Sequence, residues 1–506
     1  MVMIDLAREQ CPNREHLVQY ATTALEGGFD SLGLYLEHRF AYPSLPWAAG
    51  TGALRPADVD FLQREFPSLK IVPFINLLGH FEGMMYTEEG RGFREAKFSG
   101  LQACPSNREF NQICDQILED TLTIFSSDLI HIGGDETAQL GHCDTCKQKV
   151  DDWEKAGEPD GKAKLYGEHF ARLADKVTNA GRRPAIWADM LANHPSAMAY
   201  LPKETLLFDW QYFSGCAESA APLVEHGFEV VGCPALHTYN AVWMHIEGSE
   251  TNIRDVASDV NKLNLAGSCL TTWECGLFGA YDSLFPAIKA AGNIIANPDS
   301  GSLLEGYQAD CDDAQEWANL MGVELEKLGG VFGFSKIRSS IKARFLLQAN
   351  PFLLWLHNGE ELAGEKGMRA LQIIEHGLRI APNEAMKGIC RFARGAIEFS
   401  HLCSRAQIAY AQRRPEEAIS VLASTRIIFD DLERVAKATH ARIGGSLADQ
   451  QRCILAKKHV ESALQKIRHY GDGSMGYLPA FEHITHPKFV PHDQAAWWLI
   501  NKWAND

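Results

Sequence analysis

Short apolar runs alternate with amphipathic stretches along the first three hundred residues of the chain. The amphipathic stretches, such as Asn13 to Glu26 and Ile113 to Leu122, have the spacing of helices. Strands that are apolar on both faces and separated by helices are typical of parallel sheets. Eight runs are predicted strands: VMIDLA from Val2, DSLGLYLE from Asp30, KIVPFIN from Lys70, DLIHIGG from Asp128, PAIWAD from Pro184, TLLFDW from Thr205, FEVVGC from Phe228 and AGSCLTTW from Ala266.

Eight such units predict an α/β fold, a (β/α)8 TIM barrel. A doubly wound open sheet also alternates strands with helices, but no GxGxxG follows any of these runs. The pattern changes after the turn-rich NPDSGS at Asn297, and a helical spacing continues from Asp312 to about Gln465. We therefore expect a barrel over residues 1–300 and an all-helical C-terminal domain over residues 301–506, with an irregular tail from Gly471.

Composition and charge narrow the class of protein. The 506 residues are 46% hydrophobic and 22% charged, close to the average of soluble globular proteins. The formal net charge of −17 argues against binding to a nucleic acid backbone. No run of about 18 apolar residues predicts a membrane span, and Asp5 and Arg8 interrupt the N-terminal apolar run, which argues against a signal peptide. The 13 cysteines are scattered without a framework spacing, so we expect reduced thiols and a cytoplasmic location.

The motif HIGGDET, from His131 to Thr137, ends the fourth predicted strand. Barrel active sites lie at the C-terminal ends of the strands, where this motif would lie. Adjacent side chains in an extended strand point to opposite sides, so Asp135 and Glu136 would address two different atoms of one substrate. A pair of carboxyl groups with separate roles is what glycoside cleavage requires. An isolated Asp-Glu pair in a solvated turn is the alternative.

The motif resembles the catalytic strand of glycoside hydrolase family 20, the β-N-acetylhexosaminidases, which carries a glycine-preceded Asp-Glu pair. Other segments are similar to this family in the same order, and two of them resemble its hexosaminidase D-like branch. These segments are MIDLAR at the N-terminus, LYLEHRFAY from Leu34, NLLGHFEGM from Asn76, IWADM from Ile186, FDWQYF from Phe208 and TTWE from Thr271. The resemblance covers about the first three hundred residues.

The resemblance implies substrate-assisted retention, in which the 2-acetamido carbonyl of the substrate attacks the anomeric carbon. Asp135 would orient the acetamido N–H and balance its developing positive charge, and Glu136 would act as the general acid and then the general base. Partial burial would favour the neutral form of Glu136. His80 would lie beside the acid, although a lone histidine is as often a core residue.

The resemblance also implies the residues that hold the sugar. Arg8 would bind outer hydroxyls, unless it forms a barrel-end salt bridge, and Glu274 would accept hydrogen bonds from hydroxyls 4 and 6. Trp187, Trp210 and Trp273 fall at predicted strand ends, where they would enclose the ring and the acetamido methyl. Tyr239 is the candidate for the hydrogen bond to the acetamido oxygen, and Tyr212 and Tyr281 are alternatives.

The sequence GHCDTC, from Gly141 to Cys146, contains a single CxxC. A structural zinc site usually has four ligands from two such pairs, so Cys104 or another distant residue would have to contribute. A redox pair or simple packing is the preferred interpretation, and no metal or other cofactor is predicted. P-loop, GxSxG and HExxH motifs are absent from the sequence.

The predicted function is that of an exo-acting retaining β-N-acetylhexosaminidase that releases terminal N-acetylglucosamine or N-acetylgalactosamine from an oligosaccharide or small glycoside. The alternatives are another acetamido-assisted glycosidase with a different sugar preference, and a catalytically silent sugar-binding or sensor protein on the same barrel. No nucleic acid or membrane partner is expected. The C-terminal helices are predicted to cover the barrel or to form a homodimer contact.

Overall fold

The computed structural model describes residues 1–8, 10–96, 101–239, 241–273, 280–334, 351, 361–362, 364–445 and 447–471. Ten short strands form one sheet, and every pairing in it is parallel. The strands are β1 (Val2–Asp5), β2 (Ser31–Tyr35), β3 (Lys70–Phe74), β4 (Leu129–His131), β5 (Arg183–Trp187), β6 (Leu206–Trp210), β7 (Val230–Cys233), β8 (Ala235–Leu236), β9 (Gly267–Ser268) and β10 (Leu270–Thr272).

The ten segments occupy eight strand positions of a closed ring. Only Pro234 separates β7 from β8, and only Cys269 separates β9 from β10. Because β7 pairs with β9, β8 with β10, and β10 with β1, the last strand position joins the first. The predicted (β/α)8 TIM barrel is thereby confirmed.

Side chains fill the barrel interior. Met3, Phe74, Trp187 and Phe208 belong to one buried cluster inside the ring. The ring of His131 stacks on Phe74 with centroids 4.4 Å apart. The barrel is therefore packed below its C-terminal rim, and open space for a ligand is left at the rim itself.

Helices follow the strand positions and cover the outside of the ring. Side-chain caps begin several of them, as at Asn13, whose Oδ1 accepts from the backbone N–H of His16 at 2.9 Å. The helices of this part are α1 (Arg14–Glu26), α2 (Pro56–Glu65), α3 (Glu82–Met85), α4 (Arg108–Ile124), α5 (Asp144–Lys155), α6 (Gly161–Asn179), α7 (Asp189–Asn193), α8 (Ala217–Glu225), α9 (Ile246–Leu263) and α10 (Ala280–Ala296). Short 3-10 turns occupy Glu37–Arg39, Pro46–Ala48, Gly90–Phe93 and Pro195–Ala199.

The rest of the described chain is helical, as the sequence predicts. It comprises α11 (Leu303–Gln308), α12 (Asp312–Asn319), α13 (Glu365–Ile380), α14 (Glu384–Ala411), α15 (Pro415–Ser424), α16 (Arg426–Ile443) and α17 (Leu447–Gly471), with a π-turn at Leu320–Glu324 and a 3-10 turn at Glu326–Leu328. A division into two domains at residue 300 stays a prediction, and the predicted tail lies outside the described residues after Gly471.

The end of α16 lies against the beginning of the chain. The backbone N–H of Cys11 donates to the carbonyl of Gly445 at 2.8 Å, and Arg442 forms an ion pair with Asp282 of α10 at 2.6 Å. The C-terminal helices are thus joined to the side of the barrel. Among the described residues, no helix is both long and apolar enough to cross a lipid bilayer.

Candidate active site

A cavity of about 320 Å³ opens at the C-terminal rim of the barrel. It collects side chains that follow strands on all sides of the ring, although these residues are far apart in the sequence. Its lining residues are Arg8, Tyr35, His80, Asp135, Glu136, Trp210, Tyr212, Phe213, Tyr239 and Trp273. Charged groups after β3, β4 and β5 form one arc of the rim, and aromatic side chains from β6 round to β2 form the opposite arc.

The backbone after β4 adopts conformations that determine where the two carboxyl groups point. Gly134 has φ of 110°, and a Cβ there would lie 2.7 Å from the hydroxyl of Tyr166, so only glycine fits. Glu136 itself has φ of 48°, in the left-handed region. The chain therefore turns at the Asp-Glu pair instead of continuing as an extended strand.

This turn makes the expectation of opposed side chains wrong for Asp135 and Glu136. Nε2 of His80 lies 3.0 Å from Oε2 of Glu136 and 3.4 Å from Oδ2 of Asp135. The two carboxyl groups thus converge on one imidazole nitrogen. The left-handed backbone at Glu136 is the physical reason, because the alternation of side chains holds only for extended chain.

His80 carries the positive charge that this convergence requires. Burial by itself would lower its pKa, but Asp135, Glu136 and Glu82 outweigh burial and raise the pKa of His80 well above 6.5. Nδ1 of His80 lies 3.6 Å from Oε1 of Glu82, on the opposite side of the ring. Glu37, His80 and Glu82 also lie close enough together to share a cation.

The two members of the pair differ in environment and in protonation. Asp135 is only 7% exposed, and burial raises its pKa to about 6, with Glu136 adding to the rise and His80 opposing it. Its Oδ1 is buried and has no hydrogen-bond partner among the described residues. Glu136 is half-exposed at the cavity, and although burial would raise its pKa, His80 and then Arg8 lower it. This geometry therefore favours the ionised form of Glu136, not the neutral form expected from the sequence.

Asp189, at the start of α7, holds both arcs of the site together. Its Oδ2 accepts from the backbone N–H of Glu136 at 2.9 Å, and its Oδ1 accepts from Nε1 of Trp210 at 3.3 Å. Burial and the neighbouring carboxylates of Asp135 and Glu136 raise the pKa of Asp189 to about 8. One carboxyl group thus orients the backbone of Glu136 and the ring of Trp210.

Aromatic side chains form a continuous wall opposite the carboxyl groups. The ring of Trp210 stacks on Tyr212 with centroids 5.1 Å apart. Nε1 of Trp273 donates to the Tyr212 hydroxyl at 2.7 Å, and Tyr239 lies 6.0 Å from Tyr212 between ring centroids. These contacts fix the rings at the edge of the cavity, as a sugar-stacking surface requires.

Arg8, after β1, lies within the aromatic arc, between Tyr35 of β2 and Trp273 after β10. Its guanidinium is 5.4 Å from the ring centroids of Tyr35 and Trp273, and its Nη1 is 3.5 Å from Oδ1 of Asp5. The side chain is partly exposed at the cavity. The salt bridge that the sequence left as an alternative is therefore present, and the guanidinium still borders the open space.

Other sequence-predicted residues lie elsewhere. Trp187 is fully buried inside the barrel, where it packs 4.5 Å from the ring of His131, and it does not border the cavity. The buried Tyr281 hydroxyl hydrogen-bonds the backbone of Asp5 at the end of β1, and Tyr281 does not border the cavity. Glu274 lies outside the described residues.

Three residues of the site were not among the predicted ones. Tyr35 and Phe213 line the cavity, and Asp189 supports it from below. The segments LYLEHRFAY, FDWQYF and IWADM already contain them, so their position at or just after the end of a predicted strand was the available signal.

Comparisons with known proteins identify a similar family for part of the chain. Residues 81–266, less than half of the chain, match the model of the glycosyl hydrolase family 20 catalytic domain. That stretch begins one residue after His80 and includes the Asp-Glu pair and Asp189. No curated protein matches the chain in the sequence comparison.

Similar solved structures include an exo β-N-acetylglucosaminidase from Vibrio harveyi in complex with N-acetylglucosamine, at 16% identity and a TM-score of 0.48 over 61% of this chain and 56% of that one. A β-N-acetylhexosaminidase from Bacteroides fragilis has 17% identity and a TM-score of 0.46, over 57% of this chain and 64% of that one. A chitobiase from Flavobacterium johnsoniae has 12% identity and a TM-score of 0.49, over 84% and 74%. The chain thus spans less than two thirds of the first two proteins.

Proposed function

We propose that this protein is a glycoside hydrolase, an exo-acting retaining β-N-acetylhexosaminidase that uses substrate-assisted catalysis. The family match over residues 81–266 supports glycoside hydrolysis. The observation that carries the mechanism is the pairing of a buried Asp135, whose Oδ1 has no partner among the described residues, with a cavity-facing Glu136 on the same turn.

Asp135 is suited to an acetamido group and poorly suited to be a nucleophile. Its unpartnered oxygen would accept the acetamido N–H, which orients the carbonyl oxygen toward the anomeric carbon. A buried carboxylate also stabilises the positive charge that develops as the oxazolinium ring closes. The substrate thus supplies the nucleophile, and the protein supplies the counter-charge.

Glu136 would protonate the leaving oxygen with a proton drawn from His80. The raised pKa of His80 and the lowered pKa of Glu136 favour a proton on His80. A bound sugar would exclude water from Glu136, and desolvation favours the neutral carboxyl group. The proton would then move along the 3.0 Å contact to Glu136, which donates it and later deprotonates the attacking water.

The aromatic wall would receive the sugar ring and its acetamido methyl. Trp210 and Trp273 would stack on the apolar face, and Arg8 would bind outer hydroxyls. Tyr239 and Tyr212 both line the cavity, and either hydroxyl would hold the acetamido oxygen. Roles for Trp187 as a supporting ring beneath Trp273 and for Glu274 at hydroxyls 4 and 6 belong to the same proposal.

Hydrolysis of 4-nitrophenyl N-acetyl-β-glucosaminide and of its galacto epimer tests the proposal. We expect turnover of at least one epimer and a fall in kcat of about 10²–10⁴-fold in Glu136→Gln, because the general acid is lost. Glu88→Gln, an exposed change on the β3–α4 segment, is the matched control and should leave kcat unchanged. Inhibition by an N-acetylglucosamine thiazoline, which mimics the cyclic intermediate, tests the mechanism.

Turnover without thiazoline inhibition would contradict substrate assistance and indicate a carboxylate nucleophile. Binding of N-acetylglucosamine without turnover of either epimer would support the silent sensor instead. The N-acetylglucosamine or N-acetylgalactosamine preference, the hexosaminidase D-like branch, a cytoplasmic location and a homodimer stay predictions.

A further inference from the structure

Three cysteines and one glutamate meet beside the active-site loops, although the proposed hydrolysis does not use them. Sγ of Cys104, Cys143 and Cys146 and a carboxylate oxygen of Glu95 all lie within 4.8 Å of one another. Cys143 caps α5 and Cys146 lies in its first turn, whereas Glu95 and Cys104 come from the segment between β3 and α4. Glu95 and Cys104 are thus distant residues of the kind that a single CxxC needs to complete a metal site.

The sulfur positions fit a tetrahedral metal site better than a disulfide. Sγ of Cys104 lies 3.5 Å from Sγ of Cys143 and 3.5 Å from Sγ of Cys146. A disulfide requires about 2.05 Å between sulfurs. Thiolates about 2.3 Å from one tetrahedral zinc ion lie about 3.8 Å apart, close to the observed spacing.

Glu95 is the fourth member of the cluster, and the surroundings of its carboxylate favour a bound cation. It is only 2% exposed, and its Oε1 accepts from the backbone N–H groups of His142 at 2.9 Å and Cys143 at 3.2 Å. Its Oε2 is buried and has no partner at hydrogen-bonding geometry among the described residues. A buried carboxylate oxygen beside three thiols is unfavourable unless a cation or a proton compensates it.

We infer that Glu95, Cys104, Cys143 and Cys146 form a structural zinc site that neither the family match nor the proposed hydrolysis assigns. All four positions are filled by the protein, as in closed structural sites, so the ion would not bind substrate. Zinc would bind the three thiolates and Oε2 of Glu95, releasing the thiol protons. The thiols differ in pKa: the hydrogen bond with Cys104 lowers the pKa of Cys146, whereas burial raises the pKa of Cys143 to about 11.

The ion would join the two loops that carry the proton-transfer residues. The backbone N–H of Ala103 donates to the carbonyl of Leu78 at 2.9 Å, two residues from His80. Oε1 of Gln102 accepts from the backbone N–H of Gln139 at 2.8 Å, three residues from Glu136. A metal bridge between Cys104 and the CxxC would therefore fix the distance between these two loops from one side.

The full chain, purified without chelators from zinc-supplemented medium, tests the inference by its metal content. We expect about one zinc per chain, and Co²⁺ exchanged into the protein should show thiolate-to-cobalt charge-transfer absorption. Cys143→Ser and Glu95→Gln should reduce the bound zinc. Cys114→Ser, a buried cysteine outside the cluster, is the matched control and should retain it.

The wild-type measurements do not depend on whether any variant folds. Zinc near background together with no cobalt–thiolate absorption would overturn the inference. A disulfide among these cysteines, detected by mass spectrometry of the unreduced protein, would also overturn it and support the redox pair. Cys143→Ser and Glu95→Gln each remove one of the four proposed ligands. Zinc content equal to that of the wild type in both variants would therefore contradict this site.

Discussion

Asp135, His80 and Glu136 share their protonation, because each lies within hydrogen-bonding or ion-pairing distance of another. The charge on His80 favours ionised Glu136 and limits the rise in the pKa of Asp135. A change at one of the three residues therefore alters the titration of the other two. This coupling gives His80 a measurable effect on the titration of both carboxyl groups.

The pH dependence of kcat/KM tests this coupling. Asp135 has a raised pKa of about 6, so it is ionised above that pH, and activity should fall as pH drops through about 6. His80→Gln removes the positive charge that lowers the pKa of Asp135, so the acid limb should move to higher pH. An unchanged acid limb in His80→Gln would contradict the coupling, whereas a loss of kcat alone would not establish it.

The residue types of the site were predictable from the sequence, but their geometry was not. The Asp-Glu pair, His80 and Arg8 follow predicted strands, and the structure brings them to one cavity. The convergence on His80 depends on a left-handed backbone at Glu136, which residue spacing does not encode. Trp187 and Trp210 both lie near the ends of predicted strands, but Trp187 pairs with Phe208, two residues before Trp210, and so lies deeper in the ring. Local sequence does not fix this register.

At the scale of elements, the turn after β4 is tightly constrained by its backbone conformation and its packing. Gly134 has positive φ and its carbonyl accepts from the Tyr166 hydroxyl of α6 at 2.9 Å. His80 and Glu37, after β3 and β2, also have positive φ. Non-glycine residues in this region cost free energy, which the surrounding packing must offset.

Gly134→Ala tests how tightly this turn is constrained. We expect the free energy of unfolding to fall by about 1–3 kcal/mol from backbone strain, with a further loss from contact between the new methyl group and Tyr166. Urea denaturation measures it. Gly92→Ala, at an exposed position with no heavy atom within 4 Å of the added Cβ, is the control and should be nearly neutral. Equal stability of both variants would contradict the constraint.

Apart from the short β8, the strand ends lie within three residues of the predicted ones, because runs that are apolar on both faces leave few alternatives. The interruptions at Pro234 and Cys269 were not predicted. They depend on how the seventh and eighth positions pair around a closed ring, and that pairing involves residues far apart in the sequence. The sequence pattern thus predicted which segments are strands more reliably than how the last of them join.

At the scale of the whole molecule, α16 is fastened to the barrel through a small polar cluster. Asp282 of α10 forms an ion pair with Arg442 at 2.6 Å and lies 2.7 Å from Nε2 of His16 of α1. Burial would raise the pKa of Asp282, but His16 and then Arg442 lower it below its ordinary value. The carboxylate therefore connects two barrel helices with a C-terminal helix.

Asp282→Asn should weaken this attachment in a pH-dependent way. Because the folded-state pKa is lowered, the contribution is fully present above the unfolded pKa of about 3.9 and is lost as pH falls through the folded value. We expect the variant to lose about 1.5–3 kcal/mol of stability at pH 7 and the difference to shrink in acid. Thermal unfolding at several pH values measures it, with Asp60→Asn of the exposed Asp60–Arg64 pair as control. A difference independent of pH would contradict the electrostatic origin.

The two arcs of the rim separate the tasks of the proposed enzyme. His80, Asp135, Glu136 and Asp189 follow three consecutive strands, while the aromatic wall follows the others. A change in the wall would therefore act mainly on how the sugar ring stacks, except at Trp210, whose Nε1 donates to Asp189 on the charged side. Sugar stacking and proton transfer would then vary largely independently, on opposite sides of one ring.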